Sequence, residues 1–128
     1  MTNSAVQESL ARCRVLVVED EYFMADDIAK ALEKLGAEVI GPIPETDNAL
    51  ALLSSDERID AAILDINLRG KEIFPVADAL IARRIPVVFA TGYDASSVPP
   101  AYAAIPRWEK PFNPDVLAQA LPGIVRNA

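Results

Sequence analysis

The sequence predicts a doubly wound α/β layer sandwich, on three observations. Three short runs, Val15-Leu16-Val17-Val18, Ala61-Ala62-Ile63-Leu64 and Pro86-Val87-Val88-Phe89-Ala90, are apolar without alternation, as strands buried on both faces of a parallel sheet are. Segments with helical period lie between them. With two weaker strands added, the order strand-helix repeats five times, and right-handed crossovers then place helices on both faces.

The elements follow in chain order. Residues 1–12 read as a short N-terminal arm or helix, Ser4 and Gln7 having capping-box spacing, and residues 13–128 as one domain. After the first strand, Met24, Ile28, Leu32 and Leu35 mark a helix face, and Gly36 is its stop. Glu38-Val39-Ile40 is a weaker strand. Ala49, Leu50, Leu52 and Leu53 mark a second helix that ends near Ser54-Ser55. Val76, Ala77, Leu80 and Ile81 mark a third, with Pro75 in its first turn, where the missing N–H costs little. Pro99-Pro100 leaves the fourth helix short or irregular. Arg107-Trp108 is the last strand. Asn113-Pro114-Asp115 opens a final helix carrying Val116, Leu117, Ala120 and Leu121, which Pro122-Gly123 is expected to kink or end.

Composition narrows the function. The chain has 128 residues, 52% of them hydrophobic, enough for one sizeable core. Twelve Lys and Arg against 19 Asp and Glu give a net charge of -7, which repels nucleic-acid phosphates and anionic membranes. No apolar run approaches a membrane span, and Met1 to Arg12 lacks a signal-peptide core, so the expected compartment is the cytoplasm. Cys13 is the only cysteine and reads as a small buried hydrophobe. There is no histidine, which removes Ser/His/Asp and Cys/His catalysis and His-ligated zinc.

Ligands of an open parallel sheet bind at the carboxyl ends of its strands. The residues that follow the predicted strands are Glu19-Asp20-Glu21, Asp65-Ile66-Asn67 and Thr91-Gly92, with Lys110-Pro111 before the last helix. Taken singly, each has an ordinary reading: a helix cap, a turn aspartate, a loop pair and a solvated lysine. Taken together they gather carboxylates, a hydroxyl and an ammonium at one edge. Crowded carboxylates raise one pKa or bind a cation, and an all-oxygen donor set selects Mg2+ or Mn2+. That chemistry serves phosphoryl transfer. The reading requires Asp65 to be open to its donor and on the same side of the sheet as Asp20.

Val-Leu-Val-Val-Glu-Asp-Glu (15–21), Ile-Leu-Asp-Ile-Asn-Leu (63–68), Phe-Ala-Thr-Gly-Tyr (89–93) and Glu-Lys-Pro-Phe (109–112) resemble, in order and spacing, the signatures of response-regulator receiver domains of two-component systems. The resemblance runs from about Arg14 to Arg126, and Phe89-Ala90-Thr91-Gly92 is similar to the single-domain FATGUY subgroup. It implies a flavodoxin-like fold with strand order 2-1-3-4-5. It implies Asp65 as phosphoacceptor, and Asp20, Asp65 and the Asn67 backbone carbonyl as Mg2+ ligands, with Glu19 acting through water. Thr91 and Lys110 would bind the phosphoryl oxygens, and the Lys110–Pro111 bond would be cis. Family receivers often carry an aromatic residue at the position of Arg107. Tyr93 is the candidate substitute.

The expected function is a stand-alone response regulator, with no output domain after residue 126. Its donor would be a phosphohistidine on a sensor histidine kinase or phosphotransfer protein. The signal would leave by protein-protein contact, to an unknown partner, or the chain would act as a phosphate sink or relay. It would act as a monomer or weak dimer, bind neither DNA nor membrane, and have no enzymatic turnover beyond its own phosphorylation and dephosphorylation. Two alternatives are a pseudo-receiver binding module and a small haloacid-dehalogenase-like phosphatase. The latter calls for an Asp where Asn67 stands.

Overall fold

The computed structural model describes residues 9–55, 57–66, 68, 72–92 and 98–126. Among these, five strands form one parallel sheet: β1 (Arg14–Val18), β2 (Glu38–Ile43), β3 (Ala61–Asp65), β4 (Val87–Thr91) and β5 (Arg107–Glu109). Their order, β2-β1-β3-β4-β5, is the one expected. Four helices connect and follow them: α1 (Tyr22–Lys34), α2 (Thr46–Leu53), α3 (Phe74–Ala82) and α4 (Pro114–Arg126). After the proline pair, a 3-10 turn, Pro100–Tyr102, lies among the described residues between β4 and β5. Ser4 and Gln7 lie outside the described residues.

The central strands are buried on both faces because each face has its own helix layer. Val15, Val17, Ile63 and Val88 pack against Ile28 and Leu32 of α1 and Leu117 and Leu121 of α4. Leu16, Val18, Leu64 and Phe89 pack against Ala49 of α2 and Val76, Ala77 and Leu80 of α3. Leu10 joins the first cluster and donates its backbone N–H to Leu35, which anchors the end of the N-terminal arm. Cys13 is buried in the same cluster. No helix among the described residues is long and apolar enough to cross a membrane.

Helix ends follow local chemistry. Gly36, at φ 94, stops α1 as expected: its N–H bonds the Glu33 carbonyl, and the Ala37 N–H bonds that of Leu32. The end of α3 has the same bonding, with the Arg84 N–H to Ile81 and the Ile85 N–H to Leu80. Arg84 holds the left-handed position there, at φ 59, where glycine would be unstrained. Asn113 caps α4 by accepting the Asp115 N–H at 2.9 Å.

Two sequence expectations are corrected. Of the two outcomes expected at Pro122-Gly123, a kink or an end, the end does not occur: helix α4 runs through them to Arg126. An interior proline costs about 3 kcal/mol, whereas each large aliphatic side chain buried recovers about 1.5–3 kcal/mol. Leu121 is fully buried, and Ile124 and Val125 pack on the same core, so continuing the helix wins. Strand β2 extends to Ile43, beyond Ile40, through Gly41 and a cis Gly41–Pro42 bond, with a register irregularity against β1. At Gly41, φ is +101, and a Cβ would lie 2.7 Å from the Ile43 nitrogen and 2.9 Å from the Val17 carbonyl oxygen.

That crowding gives a stability test. Gly41→Ala is expected to cost at least about 2 kcal/mol, seen as a lower urea midpoint with an unchanged slope. An unchanged midpoint would show that the β1–β2 edge relaxes without cost.

Candidate phosphoryl and metal site

Three strand ends at the carboxyl edge bring the site together. Glu19 follows β1, and its backbone N–H bonds the Ile43 carbonyl at 3.0 Å, which ties it to the end of β2. Asp65 is the last residue of β3; it pairs with Ala90 of β4, and the next N–H, of Ile66, bonds the Ala90 carbonyl at 2.9 Å. Lys110 follows β5, its N–H held by the Thr91 carbonyl at 2.7 Å, and its bond to Pro111 is cis.

Carboxylate oxygens of Glu19, Asp20 and Asp65 lie within 4.8 Å of one another. The Lys110 ammonium donates to Glu19 at 2.9 Å and sits 3.3 Å from Asp65 Oδ2 and 3.7 Å from Glu21. Glu19 is 3% exposed and Asp65 1%. The expectation of an open Asp65 is therefore corrected: the carboxylate faces Glu19 and Asp20 as required, but it is buried. Charge is the physical reason. A carboxylate at this depth needs a cationic partner, and Lys110 lies against it.

The electrostatics reflect an excess of negative charge. Burial, and then the hydrogen bond and charge of Asp65, push Glu19 up from 4.5 to about 8, against the opposing pull of Lys110. Burial alone would lower the Lys110 pKa. The hydrogen bond to Glu19 and the charges of Asp65 and Glu19 outweigh it, so Lys110 is raised and stays an ammonium. No buried side-chain nitrogen or oxygen among the described residues lacks a hydrogen-bond partner. The donor set fits Mg2+ or Mn2+: it is all oxygen, and octahedral Mg2+ separates its ligand oxygens by roughly 3 to 4 Å. The oxygens of Glu19, Asp20 and Asp65, within 4.8 Å of one another, are spaced for one such ion, bound directly or through water.

Other sequence candidates fall less centrally. Thr91 ends β4 and is buried, but its hydroxyl donates to the Gly92 carbonyl at 3.1 Å, within its own loop. Arg107 is exposed on β5, in register with Phe89. Asn67 and Tyr93 lie outside the described residues. Glu21 starts α1 without a side-chain cap, so the acidic run does not act there as a helix cap. Sequence reading missed an aromatic cluster beside the site. Tyr102 stacks on Phe74 with centroids 4.8 Å apart, both rings contact Phe89, and the Tyr102 hydroxyl donates to Asp78 at 2.6 Å. Its members are 15 and 13 residues apart in the chain, and no local pattern links them.

Comparison with known proteins agrees with this geometry. No protein-family model matches the chain. The sensory transduction protein LytT of Bacillus subtilis (strain 168) is 31% identical over 113 residues, covering 84% of this chain and 46% of LytT. The chain spans less than half the length of the curated relatives it matches. The solution structure of SdrG from Sphingomonas melonis Fr1 is 43% identical, covers 88% of this chain and 96% of SdrG, and superposes with a TM-score of 0.76. A response regulator receiver domain protein (CheY-like) from Methanospirillum hungatei JF-1, 26% identical, covers 90% of this chain and 94% of its own at a TM-score of 0.77. The fold is thus the flavodoxin-like one of these neighbours, and with an acidic triad and a lysine gathered at its carboxyl edge, the chain belongs to the response-regulator receiver domains.

Proposed function

We propose that this receiver is a stand-alone phosphoacceptor switch of the cytoplasm. Asp65 takes a phosphoryl group from a phosphohistidine on a sensor histidine kinase or phosphotransfer protein. The signal leaves by protein contact, or the chain serves as a phosphate sink or relay. One observation carries this reading: Glu19, Asp20 and Asp65 present oxygens within 4.8 Å of one another, with the Lys110 ammonium 3.3 Å from Asp65. The match along nearly the whole of SdrG supports the stand-alone part.

In the step itself, an Asp65 carboxylate oxygen attacks phosphorus. The P–N bond to the donor imidazole breaks, the nitrogen keeps the electron pair, and a P–O bond leaves an acyl phosphate. Bound Mg2+ supplies charge neutralisation on the transferring oxygens. Asp20 and Asp65 would hold it directly and Glu19 through water, and on the family resemblance alone the Asn67 carbonyl would join them. Lys110 must swing its ammonium from Asp65 to a phosphoryl oxygen, which uncovers the acceptor. Thr91 must turn its hydroxyl from Gly92 to a second oxygen. Water later cleaves the acyl phosphate, and no other turnover is expected.

The burial of Asp65 favours one rival, a pseudo-receiver that never takes the phosphoryl group. Incubation with Mg2+ and acetyl phosphate distinguishes the two. Intact-mass measurement should show one phosphoryl adduct that is absent in Asp65→Ala, and Lys110→Ala should slow its formation on the order of a hundredfold. Absence of any adduct, or one that persists in Asp65→Ala, would leave the pseudo-receiver standing.

The raised pKa of Glu19 adds a pH test. The unfolded chain releases this proton near 4.5 and the folded chain only at about 8, so without metal the contribution to stability is full below 4.5 and is lost as the pH rises to about 8. Glu19→Gln should remove that downward slope in urea unfolding done in chelator. Parent Mg2+ affinity should climb with pH over the same window, because the ion displaces the proton. A parent whose metal-free stability is flat across the window would contradict the assignment.

A further inference from the structure

The edge of the sheet opposite Asp65 carries a second feature that the phosphoacceptor reading does not use. Two hollows, of about 830 and 620 Å3, share Arg84 and Pro86 and so form one furrow beneath the amino ends of the strands. The larger is apolar, walled by Ile85, Ile105 and Ile124 and floored by small residues. The smaller is lined by Arg12, Arg58 and Arg84 with Asp60 as its only acid.

Three properties set the furrow apart. The first is charge: three guanidiniums against one carboxylate, in a chain of net charge -7. Arg58 is satisfied by Asp60 at 2.9 Å, and nearby Arg14 and Arg83 are bonded within the fold. The side chains of Arg12 and Arg84 have no ion pair or hydrogen bond among the described residues. The second is backbone: Arg12 and Arg84, at φ 65 and 59, are the only described non-glycine residues at positive φ, and both line this hollow. The third is Gly123. Glycine inside a helix costs about 1 kcal/mol relative to alanine, yet a Cβ there would meet nothing within 4 Å. The fold has no need of a glycine at that point; a segment lying close against the helix would.

We infer that this furrow is a docking site for an amphipathic segment of another protein, one whose apolar stripe fills the Ile85–Ile105–Ile124 trough and whose carboxylates reach Arg12 and Arg84. Charge complementarity selects the acidic partner, and a groove open along its length, unlike an enclosed cavity, suits a helix laid into it. The strongest competing occupant is a second copy of this chain. Exposed Tyr22 and Phe23 beside Glu21 and Asp26 offer the same chemistry at the carboxyl edge. The inference uses neither the metal nor Asp65, so it stands or falls apart from the proposed function.

The test titrates the isotope-labelled full chain with a synthetic helical peptide of about 18 residues, with leucines on one stripe and glutamates at one end. A matched peptide with lysines in place of the glutamates is the control. The acidic peptide should move the amide signals of Ile85, Ile105 and Gly123. Arg84→Gly should weaken it about tenfold, and Gly123→Leu, whose side chain would occupy the trough, should abolish the shifts. Neither variant threatens folding, since the first relieves a left-handed arginine and the second enters open space, and an unfolding midpoint at or above the parent's would show it. Equal binding of the lysine peptide, shifts confined to other faces, or variants that bind like the parent would each overturn the inference. So would sedimentation showing the furrow filled by another copy at the titration concentration.

Discussion

Two carboxylates, Glu19 and Asp65, lie buried within reach of one ammonium, that of Lys110, and the rest of the carboxyl edge is arranged around that imbalance. An unpaired buried charge costs several kcal/mol, so the arrangement persists only because the strand ends leave the three groups nowhere else to go. Glu19 is tied to β2, Asp65 to β4, and Lys110 to β4 through backbone bonds that belong to the sheet. The proton that Glu19 retains to about pH 8 is the sign that one positive charge is still missing. A divalent ion or a proton can supply it, and a phosphoryl group with its metal would rearrange all three side chains together.

The same topology explains why the two edges of the sheet differ in charge. In a doubly wound parallel sheet each helix starts at the carboxyl edge and ends at the amino edge, so the positive ends of the helix dipoles converge on one side and the negative ends on the other. Glu19, Asp20 and Glu21 precede the start of α1, and Arg83 and Arg84 follow the end of α3. Each set of charges faces the dipole sign that stabilises it. A chain of net charge -7 thus carries an acidic edge fit for a cation and an arginine-bearing edge fit for an anion, at opposite ends of the same five parallel strands and built by one rule.

Legibility in the sequence followed burial. The three strands covered on both faces, β1, β3 and β4, stood out as unbroken apolar runs of at least four residues, and their carboxyl ends then located Glu19, Asp20, Asp65 and Thr91. The edge strand β2 was half-seen, since Gly41-Pro42 reads as a break when only local preference is weighed, and the bulge that accommodates it depends on contact with Val17. Pro122 misled for the same reason: its local cost is real, but Leu121, Ile124 and Val125 bury enough surface to carry the helix past it. The burial of Asp65 was unreadable because strand ends place Lys110 and Asp65 at one edge but do not set how deeply the carboxylate sits, which depends on the side-chain contacts of the completed sheet.

Arg107 shows how far correspondence of position can be taken. Position alone draws attention to residue 107, where a receiver often has an aromatic ring and this chain has an exposed arginine. Among the described residues, Tyr102 of the 3-10 turn reaches Phe89 from outside while Phe74 reaches it from α3. Phe89 lies two residues before Thr91 on the same face of β4, so the turn and the site share a strand. Tyr102, stacked on Phe74 and bonded to Asp78, holds that segment against α3, and Val98 and Ile105 pack on the same core. The turn that follows the proline pair is therefore packed directly on the strand that ends in Thr91.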